Sequence, residues 1–438
     1  LRANQKSKIE IPKSKMFGMV ATSVMRRTAD IAQQRRWIVG GGVVVIGLLC
    51  LWFFAVQVPA DVVSSYRFTG GGDPVQLPVL DLPTRLTNLA LALVLVLVGA
   101  FHAARGIKNS AVLFGIGALL VLLIFLTWSI RGASLNLTGL LESTLIRSIP
   151  FLLGALSGIL CERSGIINIA IEGMMLTAAF VSVIVAAFTG SLWLGLAAGI
   201  GSGALIAGVH AVFSIRFKVD QIISGTVINI FATGITNFLN LRWLTVNQDL
   251  NDSGTFTKIP IPLLSQIPVV GTILFNQIIL VYVALALMFV VNFVLFQTRW
   301  GLRTRAVGEH PKAADTLGVD VFKIRYINVI IGGMLAALGG CFLTLGSVGR
   351  FDKLMTNGRG FIALAAMIFG NWNPFGAFGA SLLFGFMDSL QLKLQILTSV
   401  IPSEFLLMAP YLATMVVLAG VVGRVRPPAA EGTPYEKQ

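Results

Sequence analysis

Hydrophobic runs of about 20 residues recur along this 438-residue chain, at roughly 38–58, 86–104, 111–129, 138–160, 172–189, 192–214, 221–241, 273–296, 326–346, 375–392 and 403–422. At a helical rise of about 1.5 Å per residue, each run matches the roughly 30 Å hydrocarbon core of a bilayer. A folded soluble monomer needs polar residues to cover its surface and has no room for such a series. Composition agrees, with 55% hydrophobic and 12% charged residues, against about a quarter charged in soluble domains. A soluble enzyme, a disordered chain and a disulfide scaffold are excluded. The expected fold is all-α: a polytopic transmembrane helix bundle of about 11 spans, with a short re-entrant or broken segment at 361–372. That segment is apolar but too short to cross alone.

The net charge of +14 would suggest nucleic acid in a soluble protein, but in a membrane chain it marks the cytoplasmic flanks. No nucleic-acid partner is expected, only membrane lipid. Residues 1–37 carry nine Lys and Arg against Glu10 and Asp30, so that end is expected in the cytoplasm. Counting spans then puts 215–219 and 298–325 inside and 242–272 outside. The segment 38–58 is too long for a cleavable signal peptide, and no small-residue cleavage site follows it. Cys50, Cys161 and Cys341 are far apart, as are His102, His210 and His310, so no metal-ligand spacing exists.

The chain divides into a basic tail (1–37), accessory transmembrane helices (38–130), a functional core (131–425) with a long inner loop (298–325), and a cytoplasmic tail (426–438). Each half of the core holds one interrupted apolar segment, around 161–175 and 357–376. Interrupted spans in matching halves point to a transport site.

Three segments carry the chemistry. In CERSGIINIAIEGMML (161–176), Gly165 and Gly173 bracket a polar stretch in an apolar context. Asn168 and Glu172 are expected to line or support a polar cavity, because ionisable groups at membrane depth are costly. Glu162 and Arg163 read equally well as an ordinary helix end. Next, Thr226, Asn229, Thr233 and Asn237 are spaced 3, 4 and 4 apart, on one helical face. Such a stripe suits a solute pathway; the competing reading is hydrogen bonding between helices. In GLRTRAVGEHPKAADTLGVDVFKIRY (301–326), Pro311 can open a short helix, Gly318 can end it and Asp320 can cap the next. Ala313 and Ala314 give that helix a small flat face for docking into a partner, with Glu309, Lys312 and Asp315 polar around it. Gly195, Gly199 and Gly203, and Gly332, Ala336 and Gly340, have the spacing of close helix packing. No GxxxxGK[ST], HExxH or GxSxG pattern is present, which argues against ATP hydrolysis or intramembrane hydrolysis by this chain.

The stretches 148–180, 301–326 and 358–391 resemble the permease subunits of bacterial ABC importers of the ribose and branched-chain amino acid group, most nearly those of nucleoside importers. The resemblance covers roughly 135–425 and leaves 1–130 aside. It implies a transport subunit, not an enzyme, in the bacterial plasma membrane, with a pathway region at Asn168, Glu172 and Gly173. It also implies a coupling helix with an AAxxxG core at Ala313, Ala314 and Gly318, where Lys312 stands in place of the Glu of other importers. Implied partners are a separate ATPase that uses ATP and Mg, a second permease, identical or paralogous with the ERSGxxNIxxEGMM form favouring the paralogous, and an extracytoplasmic substrate-binding lipoprotein. No cofactor is implied on this chain. The alternatives are a sugar or branched-chain amino acid permease of the same group, or an ion-coupled secondary transporter using Glu172 or Asp388.

Overall fold

A computed structural model describes residues 33–34, 36–70, 75–107, 110–397, 408 and 426–437. Among them are ten helices long and apolar enough to cross a membrane. They are α1 (Arg36–Val56), α2 (Thr84–Arg105), α3 (Ser110–Ser129), α4 (Leu137–Glu162), α5 (Ile171–Thr189), α6 (Leu192–Ala211, running on to Arg216), α7 (Gln221–Leu239, running on to Leu244), α8 (Ile279–Gln297), α11 (Val321–Leu343, running on to Val348) and α13 (Pro374–Leu397). The shorter helices are α9 (Arg299–Glu309), α10 (Pro311–Thr316) and α12 (Arg359–Phe369). The chain is thus a polytopic helical bundle. The expected span at 403–422 and the basic tail at 1–32 lie outside the described residues.

The chain forms two compact units, residues 1–66 with 80–135, and 67–79 with 136–438. In the first, α1 and α2 meet at Gly40 and Gly99, where a Cβ on Gly40 would lie 2.7 Å from the Ala103 nitrogen and the Gly99 oxygen. Phe54 packs edge-on against Trp128, with ring centroids 5.0 Å apart. The strands β1 (Val63–Arg67) and β2 (Leu80–Pro83) pair antiparallel, Val63 opposite Pro83; β3 (Ser134–Asn136) completes a sheet of order β2-β1-β3.

In the second unit α4 is the central helix, 89% buried over its apolar window. Asn136 caps its start by accepting the Gly139 N–H at 2.9 Å. Pro150 inside it deprives the Ile146 carbonyl of its helical donor. At one end of the unit β4 (Lys258–Pro260) pairs antiparallel with β5 (Asn276–Ile278); α9 and α10 lie at the other.

The two small-residue stripes form one seam. A Cβ on Gly199 would sit 2.3 Å from Cys341 Sγ and 3.0 Å from the Ala178 oxygen, and one on Gly340 2.0 Å from the Met175 oxygen. α5, α6 and α11 therefore touch nearly backbone to backbone. Gly203→Ala would bring its methyl 2.3 Å from Ala337 Cβ and 2.8 Å from the Gly333 oxygen. Overpacking of this kind costs about 1–3 kcal/mol, so a clear fall in the thermal midpoint of the purified protein is expected. Gly201→Ala, whose Cβ meets nothing within 4 Å, is the control that should not lower it.

Candidate functional site

The chain breaks between α4 and α5 inside the bundle, over residues 163–170. Backbone there has no ladder, so its polar groups need other partners. Side chains from three helices supply them. Arg325 Nε of α11 donates to the Ser164 oxygen at 3.2 Å. His210 Nε2 of α6 lies 3.0 Å from the Ile167 oxygen, and Gln221 Oε1 of α7 accepts the Ile167 N–H at 2.7 Å. Asn229 of α7 acts twice, donating to the Ile169 oxygen at 2.9 Å and accepting the Gly173 N–H at 2.8 Å. Gly173 is required by that approach, because a Cβ there would meet Asn229 Oδ1 at 2.9 Å. Gly165 takes φ +88° at the turn itself, a conformation open to glycine.

Asn168 is fully buried. Its Nδ2 reaches Ser157 Oγ at 3.4 Å and Cys161 Sγ at 3.5 Å, while its Oδ1 has no donor among the described groups. Glu172, in the first turn of α5, turns outward to another helix. Its two oxygens accept the Gly358 N–H at 2.9 Å and the Gly360 N–H at 2.6 Å. They cap the N-terminus of α12, where an anion also meets the helix dipole favourably. α12 is 11 residues long, about 16 Å, half a bilayer core. Its approach and exit are tightly bent: Leu354 and Asn357 before it, and Asn371 and Trp372 after it, are four of the seven non-glycine residues with positive φ among those described. Such backbone costs of order 1 kcal/mol or more per residue and persists where surrounding bonds fix it. Here Trp372 Nε1 donates to Glu162 Oε2 at 2.6 Å, and Arg163 donates to the Asn371 and Trp372 carbonyls.

The stripe on α7 divides. Asn229 is buried against α5, Thr233 and Asn237 are half-buried, and Thr226 is exposed, with its hydroxyl returned to the Ile222 carbonyl at 2.8 Å. Beside Thr226 on the outer face stand Ile223, Val227 and Ile230, each more than half exposed.

Above the capped end of α12 lies a cavity of about 390 Å³, lined by Ser143, Arg147 and Pro150 of α4, Phe342 of α11, and Asp352 and Arg359 among others. Arg147 Nη1 pairs with Asp388 Oδ2 at 2.9 Å, and Arg359 Nη2 approaches the same oxygen at 3.6 Å. A polar vestibule of about 670 Å³ adjoins it, sharing Val348 and Asp352 and adding Asn240, Gln248, Asp249 and Asn251. Together they provide hydroxyl, carboxylate and guanidinium groups beside Phe342 and Pro150. That combination fits an uncharged polar solute with a flat apolar part.

α10 follows α9 after a single residue. His310 caps it, its Nδ1 accepting the Ala313 N–H at 3.1 Å, and Pro311 opens it. At the far end the Gly318 N–H bonds the Asp315 oxygen at 2.8 Å and the Val319 N–H bonds the Ala314 oxygen at 3.1 Å, with Gly318 at φ +80°. This is the paired closure in which glycine seals a helix. Asp320 then caps α11 through the Lys323 N–H at 3.0 Å. Ala314 is buried against Val307 and Val321, while Ala313 and Gly318 face outward and Leu317 is 85% exposed. Glu309 accepts the Ala429 N–H at 3.3 Å. The segment is a short, rigid, capped helix with an apolar tip.

Sequence reasoning did not single out Arg147, His210, Gln221 or Trp372, whereas the basic 347–360 loop with Arg350, Lys353 and Arg359 is one it offers as a cavity lining, and Arg359 lines the cavity. Arg147 alone carried a signal, an ionisable residue inside an apolar run. No three His, Cys, Asp or Glu come together as a metal set among the described residues.

Residues 140–423 match the family described as the permease component of branched-chain amino acid transport systems. The chain is 43% identical over 307 residues to the guanosine ABC transporter permease protein NupQ of Bacillus subtilis, covering 68% of this chain and 96% of that protein. It is 40% identical over 307 residues to the nucleoside ABC transporter permease protein NupC of Lactococcus lactis, with the same coverage. It is 39% identical over 264 residues to the putative glucose ABC transporter permease protein TsgC13 of Haloferax volcanii, covering 59% of this chain and 79% of that protein. No solved structure matches significantly. A polytopic bundle with two interrupted helices, and this similarity over most of its length, lead to one conclusion: the chain belongs to the branched-chain amino acid transport permease family, as a membrane permease of the ABC importer kind.

Proposed function

We propose that this chain is the nucleoside-conducting subunit of an ATP-driven importer in a bacterial plasma membrane. Its N-terminus and α10 lie on the cytoplasmic side. The observation that carries this is the pairing of a cavity of mixed polar and apolar lining, at the capped end of a half-helix and beside a polar vestibule, with a capped and exposed helix at the opposite end of the same unit. The first is suited to solute and the second to a motor. A nucleoside is favoured because it is uncharged and offers hydroxyls and a flat base to such a cavity, and because two of the relatives carry guanosine or nucleoside in their names.

In this reading a substrate-binding lipoprotein delivers solute at the vestibule. A separate ATPase binds ATP and Mg and seats the α10 tip, at Glu309, Pro311, Ala313, Ala314 and Gly318. A second, paralogous permease completes the pathway; the exposed aliphatic face of α7 and Thr226 beside it suit that contact. Asn168, Glu172, Gly173 and Asn229 support the pathway by holding the broken segments in shape, and Thr233 and Asn237 extend the polar stripe of α7 toward it. Ion coupling is disfavoured because both nominated carboxylates are engaged, Glu172 by two amides and Asp388 by two guanidinium groups.

Uptake of tritiated guanosine by cells with and without the gene tests this. Uptake should vanish on deletion, be competed by inosine, ignore leucine and glucose, and stop on ATP depletion but not with a protonophore. The glucose-named relative gives the second reading a basis; competition by glucose and not inosine would replace the nucleoside with a sugar.

A further inference from the structure

Residues 426–437 cross the α10 end of the second unit as a strap with a turn at 429–432. The Ala430 N–H donates to the Gly308 oxygen at 2.9 Å, and the Gly432 N–H to the Gly165 oxygen at 3.2 Å. Arg325 Nη1 holds the Thr433 oxygen at 3.2 Å, and the buried Tyr435 ring lies 5.3 Å from Phe322. Lys218 pairs with Glu436, and the Arg426 N–H reaches Asn371 Oδ1 at 3.3 Å. The strap therefore bonds the root of α10, the α4–α5 break, α11, the α6–α7 connection and the turn after α12.

In the middle of the strap two acids face each other. Glu431 meets Glu162, the buried last residue of α4. One Glu162 oxygen is taken by Trp372 Nε1, and Glu431 Oε2 is buried with no donor. The cations nearby among the described residues bond or face other groups and form no ion pair with either acid. Arg163 bonds the Asn371 and Trp372 carbonyls and interacts with Glu309 and Arg305. Arg325 bonds the Ser164 and Thr433 carbonyls through Nε and Nη1 while its Nη2 is buried without an acceptor among the described groups, and Lys218 and Lys312 interact with Glu436. Asp315, the remaining acid packed there, faces Tyr435. No ion pair reaches Glu162 or Glu431 among the described residues, so two ionised carboxylates would repel in a site of low dielectric.

We infer that a proton shared by Glu162 and Glu431 locks the strap down, and that its loss frees the strap and with it the root of α10. Burial holds the Glu431 carboxyl above its ordinary value. The docked state therefore prefers the protonated form. Docking is unopposed below the ordinary carboxyl value and weakens as pH rises through the raised one.

The test is hydrogen exchange on the full chain in lipid nanodiscs, without ATPase or solute, so that its outcome is independent of the transport reading. Protection factors, corrected for intrinsic rates, are measured for 428–436 and for 308–318 from about pH 5 to about pH 8. Wild type should lose about tenfold or more in both segments as pH rises, the direction set by a carboxyl that prefers its protonated form when docked. Glu431→Gln, whose neutral amide donates to Glu162 at every pH, should keep its protection flat. Glu436→Gln should lower protection without changing the pH profile. A flat wild-type profile, or a Glu431→Gln profile that copies wild type, would overturn the proton lock. A strap that loosens while 308–318 stays protected would overturn its tie to α10.

Discussion

Leu317→Asp is expected to leave the permease in the membrane at its usual abundance, while capture of the ATPase and solute uptake each fall tenfold or more. Leu317 is the exposed residue after the last turn of α10, at 85% exposure, and it contributes little to the fold. Exposed substitutions of this kind usually shift stability by less than about 0.5 kcal/mol. Burying a leucine in a partner's groove contributes roughly 1.5–3 kcal/mol, and each 1.4 kcal/mol is about tenfold in affinity. An aspartate also brings a charge to be desolvated. Co-purification from membranes and uptake in cells give the two readouts, and normal ATPase recovery with the variant would remove α10 from the docking role. Leu317 is a better position for this than Gly318, because a side chain at φ +80° strains the closure that shapes the helix.

Glu172→Ala should disrupt the unit from inside. It strands the Gly358 and Gly360 amides and removes the anion from the α12 terminus. Each orphaned amide costs about 1–3 kcal/mol, and the lost dipole interaction adds about 0.3–2 kcal/mol. The expected result is a large drop in thermal midpoint in detergent and uptake close to background. Glu172→Gln keeps one carbonyl oxygen as acceptor and should fall between the two. A Glu172→Ala protein as stable as wild type would show that α12 does not depend on this cap.

Length and hydropathy made the spans legible, because a bilayer imposes one dimension on every helix that crosses it. Local chemistry made α10 legible: Pro311, Gly318 and Asp320 each act on the backbone within three residues. His310 as the cap was missed, since histidine is not a usual capping residue. What stayed hidden were bonds from side chains to backbone or side chains far off in the sequence. Gln221 to Ile167 spans 54 positions, Arg325 to Ser164 spans 161, and Arg147 to Asp388 spans 241. No spacing rule reaches across such separations. The α7 stripe shows the intermediate case. Helical angle put four polar residues on one face, but only Asn229 lies where α5 comes close enough at Gly173 to use it.

The seam of Gly199, Gly203 and Gly340 bears on how this protein can change shape. Helices packed so closely that one added Cβ would fall 2–3 Å from atoms of the neighbouring helix have little slack for sliding or twisting past each other. α5, α6 and α11 must then rock as a single rigid body. Any change of shape then falls to segments outside that block, and the α12 end held by Glu172 is bonded to α5 on the block itself.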